Sequence, residues 1–299
     1  NIIIATGARQ RDIDSMPIDH HVVINSRDAL SMSEIPDDIT IIGGGQSAAE
    51  IYYDLLQEIE VHGYQLNWVT RSPRFFPLEY SKLTLEMTSP EYVDYFYDLP
   101  SAQKDALISQ QKNLYKGINA SLINDIYDLL YIKRLDNDFE TNIFSNSALT
   151  DVNKSGKENL NLSFFQQEQQ QGYSLSTQAM VLATGYSSKI PEFLLPISER
   201  LKWDDKGRFD VNRNYSIDKN GNEIFVQNAE LHSHGFVSPD LGMACYRNSC
   251  IIRDLLGYEY YPIEKRIAFQ QFSAPIDQTQ GKVNAISKQA YTPITEPAI

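Results

Sequence analysis

Gly43-Gly44-Gly45-Gln46-Ser47-Ala48 restricts the folds open to this chain more than any other stretch. It follows a short branched apolar run, Ile39-Thr40-Ile41-Ile42, and opens a helix-like stretch from Gln46 to about Glu58. Leu66-Asn67-Trp68-Val69-Thr70 reads as the next strand, so the three pieces predict a βαβ unit and an α/β fold. In the pattern G-x-G-x-x-A the first glycine permits a tight turn and the second lets backbone approach a pyrophosphate. The small third residue lets helix and strand pack closely. The helix N-terminus adds free N–H groups and a positive dipole end. Gly43, Gly45, Gln46, Ser47 and Ala48 are therefore the candidate dinucleotide residues. A glycine-rich turn without a ligand is the alternative.

The end of the second strand selects the nucleotide. NAD readers carry an acid there, and NADP readers offer arginine. The sequence runs Val69-Thr70-Arg71-Ser72-Pro73-Arg74, with no acid, so Arg71 and Arg74 are candidates to clamp a 2′-phosphate. NADPH is expected over NADH; the alternative is two solvated surface charges.

A formal net charge of −13 over 299 residues speaks against binding a nucleic-acid backbone, which needs clustered cations. No apolar run approaches the length of a membrane span, and no leader is visible. The only cysteines, Cys245 and Cys250, form no C-x-x-C pair, so neither a zinc knuckle nor a redox dithiol is indicated. Two cysteines in so long a chain fit a reducing compartment, and the expected location is cytoplasmic.

Asn1 leads straight into the strand-like Ile2-Ile3-Ile4, which predicts a fragment whose upstream part lies elsewhere. That opening, Asn1 to Ala5-Thr6-Gly7, is echoed by Ala179 to Ala183-Thr184-Gly185, and both read as buried strands ending at a glycine turn. With a nucleotide signature between them, the layout suggests a domain inserted between two crossings to a parent domain. Residues 31–38 read as a loop, 90–133 as mostly helical, 159–165 and 178–182 as strands, and Asp240 to Leu256 as a last helix. Asn220-Gly221 marks a turn before a strand at Ile224 to Val226, and the polar tail beyond Ser273 reads as loosely ordered.

Further motifs stand in order along the chain. They are Ser89-Pro90-Glu91-Tyr92, Ile126-Tyr127-Asp128 with Leu130-Tyr131, Ala183-Thr184-Gly185-Tyr186, His234-Gly235 and Tyr246-Arg247-Asn248. Together with Ala5-Thr6-Gly7 and the glycine turn, this ordered set resembles the siderophore-type N-hydroxylating flavin monooxygenases, the lysine, ornithine and diamine N-monooxygenases. The resemblance implies a two-dinucleotide-binding-domain flavoprotein, with a Rossmann-like NADPH-binding domain inserted in an FAD-binding domain. Residues 1–30 would be the first crossing and linker. Residues 31–185 would be the NADPH domain with a helical substrate-side insertion, and 186–299 the C-terminal part of the FAD domain with its tail. The family's FAD-binding glycine loop lies upstream of the first crossing and is not in this sequence, which puts FAD binding by this chain alone in doubt.

The implied reaction is N-hydroxylation of a small primary amine by O2 through a C4a-hydroperoxyflavin, with FAD and NADPH, in siderophore synthesis. Homo-oligomers are implied too. The resemblance puts Ala5, Thr6, Gly7, His232, His234, Gly235 and Leu241 beside FAD, and assigns no side chain as catalytic. His232-Ser233-His234 could suggest a metal pair, but it lacks acidic or cysteine partners, so no metal is expected.

Ornithine hydroxylases of the family carry Asn-Glu where this chain has Leu85-Glu86, a second Asn near Lys116, and a hydroxyl where Gly242 stands. Fewer polar partners remain for a buried α-carboxylate and α-ammonium. Leu85, Glu86, Lys116 and Gly242 are thus the expected substrate residues, and a diamine such as putrescine or cadaverine is preferred to ornithine or lysine. Glu79 or Glu86 is a candidate for the distal ammonium; surface acids are the alternative. Carbon- or sulfur-oxygenating flavin monooxygenases, a disulfide oxidoreductase and a non-catalytic NADP-binding module are the rival readings.

Overall fold

The computed structural model describes residues 1–11, 17–29, 35–136, 139–156 and 159–275. The chain opens with β1 (Ile2–Ile4), β2 (Arg9–Gln10), β3 (Val23–Asn25), α1 (Ser26–Ala29) and β4 (Asp38–Ile42). Next come α2 (Gln46–His62), β5 (Gln65–Val69), α3 (Lys82–Leu85), α4 (Pro90–Asp98), α5 (Ser101–Gln110) and α6 (Ala120–Asp136). Then follow β6 (Thr141–Phe144), β7 (Ser147–Ser155), β8 (Asn159–Gln166), β9 (Gln171–Thr177), β10 (Ala179–Leu182) and β11 (Tyr186–Ser187). The last elements are β12 (Ile224–Val226), α7 (Leu231–His234) and α8 (Ala244–Leu256). The loop expected at 31–38 lies partly outside the described residues, and the tail beyond Ser273 almost wholly so.

Five parallel strands in the order β3-β10-β4-β5-β6 make the main sheet. Strand side chains alternate between faces, and the two faces bury against different layers. Ile24, Ile39, Ile41, Leu66, Trp68 and Val181 pack under α2 and α6, against Ala49, Tyr52, Leu56 and Ile126. Val23, Ile42, Val69, Met180 and Leu182 pack under the antiparallel meander β7-β8-β9, against Leu160, Leu162 and Phe164. Both faces are covered, which accounts for the wholly apolar β10 and the largely apolar β4. The order reverses between β4 and β10. A crevice therefore opens beyond the carboxyl ends of these two strands, where open α/β sheets bind ligands.

Three features differ from the sequence expectation. Val23–Asn25 pairs with β10 inside the main sheet, upstream of the expected division at residue 31. Between 147 and 177 the sequence predicts one strand, but the structure has three. β7 and β9 are largely exposed and polar, with only a few apolar residues such as Val152, Tyr173 and Leu175 turned to the core, and are held by pairing with β8. The last helix also begins at Ala244 rather than Asp240.

The second lobe is built on a parallel pair, β1 with β12, over a cluster of Ile4, Leu194, Leu201, Phe209, Val211 and Ile217. The helical stretch 82–117 packs against this lobe. Tyr92 and Phe96 of α4 meet Phe236, and Arg213 reaches Asp94 while Arg208 reaches Asp105. A wholly buried ion pair, Arg247 Nη1 to Glu230 Oε1 at 2.7 Å, ties α8 to the start of α7. Losing either partner would strand a charge in the interior. The two lobes are joined where β2 pairs antiparallel with β11, immediately after the two Ala-Thr-Gly turns.

Candidate functional site

The glycine turn sits at the reversal point of the main sheet. A Cβ on Gly43 (φ +152°) would lie 2.3 Å from the Ala183 carbonyl oxygen, and one on Gly44 would lie 2.4 Å from Thr70 Oγ1. Those two glycines are required by the protein's own packing. Gly45 differs, since a Cβ there meets nothing within 4 Å. It is the N-cap of α2, and no side chain caps that helix. The turn therefore presents open space lined by unpaired helix N–H groups, which suits a pyrophosphate.

Neighbours hold the turn in place. Trp68 stacks on Tyr52 and its Nε1 donates to the Gly43 carbonyl at 2.7 Å. Thr70 Oγ1 accepts from Ser72 N at 3.1 Å, so this buried hydroxyl shapes the loop that follows β5. Gln46 Oε1 accepts from Asn119 N (2.8 Å), and Asn119 Oδ1 in turn accepts from Ser121 N. The starts of α2 and α6 are thereby joined. Sequence reasoning identified Gln46 only through the motif and missed Trp68 and Asn119, whose roles depend on residues 25 and 73 positions away. Ala48 is fully buried, Ser47 is half-buried, and Arg71 and Arg74 are exposed, with the Arg74 guanidinium 4.6 Å over the Phe76 ring.

In the second lobe, β1 ends at Ala5-Thr6-Gly7, and Gly7 (φ +72°) has no heavy atom within 4 Å of a notional Cβ. Helix α7, which follows β12, carries His232-Ser233-His234 and ends at Gly235. His232 Nε2 donates to Phe209 O (2.8 Å) and His234 Nε2 donates to Arg213 O (3.2 Å), so the two rings are committed to separate carbonyls. His234 is fully buried, stacks on Tyr215, and has its pKa pushed down to about 3, chiefly by burial. It is neutral, so its Nδ1 accepts from Ser233 Oγ at 2.9 Å. Gly235 (φ +76°) lies against the Phe96 ring, 3.0 Å from a notional Cβ. Leu241, by contrast, is 89% exposed on the loop before α8.

A family model described as L-lysine 6-monooxygenase/L-ornithine 5-monooxygenase matches residues 1–188. The chain belongs to this family. It is 49% identical over 98% of its length to a putrescine N-hydroxylase of Shewanella oneidensis, and covers 59% of that protein. A putrescine N-hydroxylase of Acinetobacter baumannii is 49% identical over 86% of the chain, which covers 57% of that protein. The chain thus spans somewhat under two-thirds of the curated relatives it matches. Among solved structures, the FAD-bound cadaverine monooxygenase of a desferrioxamine pathway from Erwinia amylovora superposes with a TM-score of 0.87. It is 53% identical, with 92% of this chain and 65% of that one covered. An ornithine N-hydroxylase of Kutzneria, with reduced FAD, NADP+ and L-ornithine, gives a TM-score of 0.76 at 23% identity, a likeness of fold. The fold is the α/β flavoprotein fold related to double-Rossmann FAD/NADPH monooxygenases.

Within this lysine/ornithine oxygenase framework, the residues expected at the substrate end have distinct surroundings. Both oxygens of Glu86 are engaged: Oε1 accepts from Phe269 N (2.9 Å) and Oε2 from Gln270 N (3.0 Å) and Gln270 Nε2 (2.9 Å). One turn on, Glu91 Oε1 accepts from Ile267 N (2.6 Å) and Ala268 N (2.9 Å). Two carboxylates thus pin four consecutive backbone N–H groups of a C-terminal strap across α3 and α4, and Phe272 closes edge-on against Tyr92. The strap's amides, Phe269 first, hold the Glu86 carboxyl below its usual range. Leu85 beside it is partly exposed. Glu79 Oε1 accepts from Asn113 Nδ2 at 3.3 Å. The Lys116 ammonium lies over the Tyr115 ring, and partial burial, then Arg11 and Lys112, pull its pKa down. Gly117 is fixed by close approach to 76–78, with a notional Cβ 2.9 Å from Leu78 N. Gly242 stands on the loop before α8, where a Cβ would meet only Asp240 Oδ1 within 4 Å.

Two outcomes follow from these contacts. His234 is neutral when folded and binds a proton near pH 6.5 when unfolded, so its contribution is complete above pH 6.5. It is lost as pH falls toward 3. Between pH 7 and 5 the urea unfolding free energy is expected to drop by about 2 kcal/mol, with a visibly flatter profile for His234→Gln. Equal slopes for the two proteins would contradict the assignment. Removing both strap anchors, Glu86→Ala with Glu91→Ala, is expected to speed tryptic cleavage after Lys265 and Arg266 by about tenfold or more while the main sheet stays folded.

Proposed function

We propose that this chain is the NADPH-binding and substrate-side portion of a flavin-dependent N-hydroxylase, which uses FAD, NADPH and O2 to convert a small primary amine to its hydroxylamine in siderophore synthesis. The observation that carries this reading is the open, uncapped glycine turn at the reversal point of the main sheet, in a chain of this family. Gly43, Gly45, Gln46, Ser47 and Ala48 would hold the NADPH pyrophosphate, with Arg71 and Arg74 at the 2′-phosphate. Both guanidiniums are solvent-accessible just after β5, where such a phosphate would lie. The meeting of Lys116 with Arg11 and Lys112 suits an anionic part of a dinucleotide better than a protonated amine, so we reassign Lys116 to the cofactor side.

FAD would lie at the carboxyl ends of β1 and β12, against Ala5, Thr6 and Gly7, with the segment from His232 to Gly235 on its far side. The open turn at Gly7 fits that placement. Leu241 and Gly242 would face the same site from the loop before α8. When bound, the flavin supplies electron transfer from NADPH to O2 and delivery of an oxygen atom. The chain's own part is to bind, orient and exclude water. The buried Tyr92-Phe96-Phe236 cluster and the strap provide apolar cover on the substrate side. The pairing of β2 with β11 beside the two Ala-Thr-Gly turns supports a nucleotide domain inserted in the FAD domain, with β3 on the inserted side of the boundary.

A diamine is the preferred substrate over ornithine or lysine. Leu85 and Gly242 offer no polar side chain to an α-carboxylate and α-ammonium. The similarity to two putrescine N-hydroxylases and a cadaverine monooxygenase supports the same choice. Glu86, committed to the strap, would act on the substrate by positioning it. Family likeness and soluble-type sheet packing favour a cytoplasmic homo-oligomer. Among the described residues no helix is long and apolar enough to cross a membrane.

The test uses the complete gene product loaded with FAD. Hydroxylamine from putrescine or cadaverine, with little from ornithine or lysine, is the expected result. Product from the amino acids alone would remove the substrate choice, and NADPH oxidation without any hydroxylamine would remove the activity. Gly45→Ala should leave the melting temperature unchanged and weaken NADPH binding by about tenfold or more, because its methyl enters ligand space. Gly44→Ala should destabilise the fold outright.

A further inference from the structure

Glu91 is the second residue of α4, where an acid meets the positive end of the helix dipole. Its Oε1 is fully used, accepting from Ile267 N (2.6 Å) and Ala268 N (2.9 Å) of the strap. Its Oε2 is buried, and among the described residues nothing donates to it. Glu86 differs, since the strap engages both of its oxygens. The helix start and the strap account for the charge on Glu91 and for the use of Oε1. Neither accounts for a second oxygen held out of water without a partner, which costs more than a made hydrogen bond returns.

The strap is the part of this cover that can move. Among the described residues, 258–275 make no backbone–backbone hydrogen bond. Ile267 is 55% and Phe269 90% accessible, while Ala268 and Phe272 pack inward. A segment held by so few contacts opens locally without unfolding the rest. Because the strap amides sit directly on Glu91, lifting the strap uncovers the carboxylate and closing it seals the carboxylate from water again.

Inward of Glu91 stands a layer of rings. Tyr92 packs edge-on against Phe272 of the strap (4.9 Å between centroids) and stacks on Phe236 (5.9 Å), the residue after Gly235. On the proposed reading the turn at Gly235 lies beside the flavin. A ligand reaching from there to Glu91 needs an apolar middle to pass the rings and a cation at its far end. An aliphatic diamine has both, because one amine reacts uncharged and the other remains an ammonium.

We propose that Glu91 Oε2 holds the ammonium at the non-reacting end of the diamine and that the strap closes over the pair. The contact is a charge-assisted hydrogen bond in a site shut off from water, where such bonds are strongest. Glu91 then serves two partners with one oxygen each, the strap through Oε1 and the ligand through Oε2. The inference rests on the proposed N-hydroxylation and names the residue that reads the far end of its substrate.

Glu91→Gln separates the two oxygens. The amide oxygen still accepts from Ile267 and Ala268, while an amide NH2 replaces Oε2 and the charge is lost. In the complete gene product loaded with FAD, the variant should raise the KM for putrescine about tenfold or more, with kcat within about threefold. For butylamine, which has the same carbon chain and no second ammonium, KM should move by less than about twofold. Calorimetric titration with putrescine in the absence of NADPH should show the same loss of affinity, so binding decides the inference whether or not hydroxylamine forms. Putrescine should also slow tryptic cleavage after Lys265 and Arg266 in the parent and not in the variant. Without amine, the two proteins should be cleaved at rates within about twofold of each other, which shows the strap still seated. Equal shifts for the two amines, or none for either (the result of an ordered water at Oε2), overturns the proposal. Putrescine bound through Glu91 with no hydroxylamine from any amine supports the ammonium site and overturns only the proposed activity.

Discussion

The Ala183 carbonyl occupies the space that any side chain at Gly43 would need, and the rest of the architecture follows from that contact. It can form only if β4 and β10, 140 positions apart in the register of Ile42 with Leu182, lie side by side. Once they do, the chain entering α2 and the chain leaving β10 emerge at one edge, and the order of strands must reverse there. The reversal opens the crevice, and the uncapped start of α2 faces it. After Gly185 the departing chain forms β11 and meets β2, so the same contact also fixes how the second lobe is attached. A methyl group at Gly43 would disturb the crevice, the helix start and the lobe junction together.

The second lobe solves a different problem, because it has little sheet of its own. Its parallel pair is three residues long on each strand, too short to stand alone. Side-chain networks replace the missing ladder. Asp218 accepts from the backbone of Gly221, Asn222, Glu223 and Ile224, which shapes the turn into β12. Glu230 and Arg247 hold α7 to α8 at a cost in desolvation that only a complete pair offsets. His234, neutral and stacked on Tyr215, ties α7 to the Arg213 carbonyl. The same lobe recruits α4 and α5 from the middle of the sequence, so the helical stretch between β5 and β6 is physically its cover.

What the sequence disclosed follows the range of the forces involved. The glycine turn, β4, β5, α2 and the turn at Asn220-Gly221 are local patterns, each readable within a window of some fifteen residues. Strands β7 and β9 were not readable. Their side chains, such as Asp151, Asn153, Ser174 and Ser176, face solvent, and pairing with β8 decides their conformation. Glu86 looked like a substrate acid because its partners, Phe269 and Gln270, lie more than 180 positions away. Thr70 Oγ1 likewise accepts from Ser72 N and packs against Gly44. In both cases a polar side chain satisfies backbone that no local pattern satisfies.

The charges around the two lobes then divide the ligands between them. Arg71, Arg74, Arg11, Lys112 and Lys116 are among the cations near the turns and the lobe junction, a setting that would repel a protonated diamine. On the other side, Glu86 and Glu91 gather beneath the strap. Glu91 Oε1 is bonded, but its Oε2 is buried and has no hydrogen-bond partner. A buried carboxylate oxygen left open is costly unless something cationic or N–H-bearing reaches it. On the proposed reading, that asymmetry, cations at the reversal point and an unsatisfied acid under the strap, would favour a dinucleotide at the first and an amine at the second. The carboxylates that anchor the strap's backbone would then also set the charge of the substrate side.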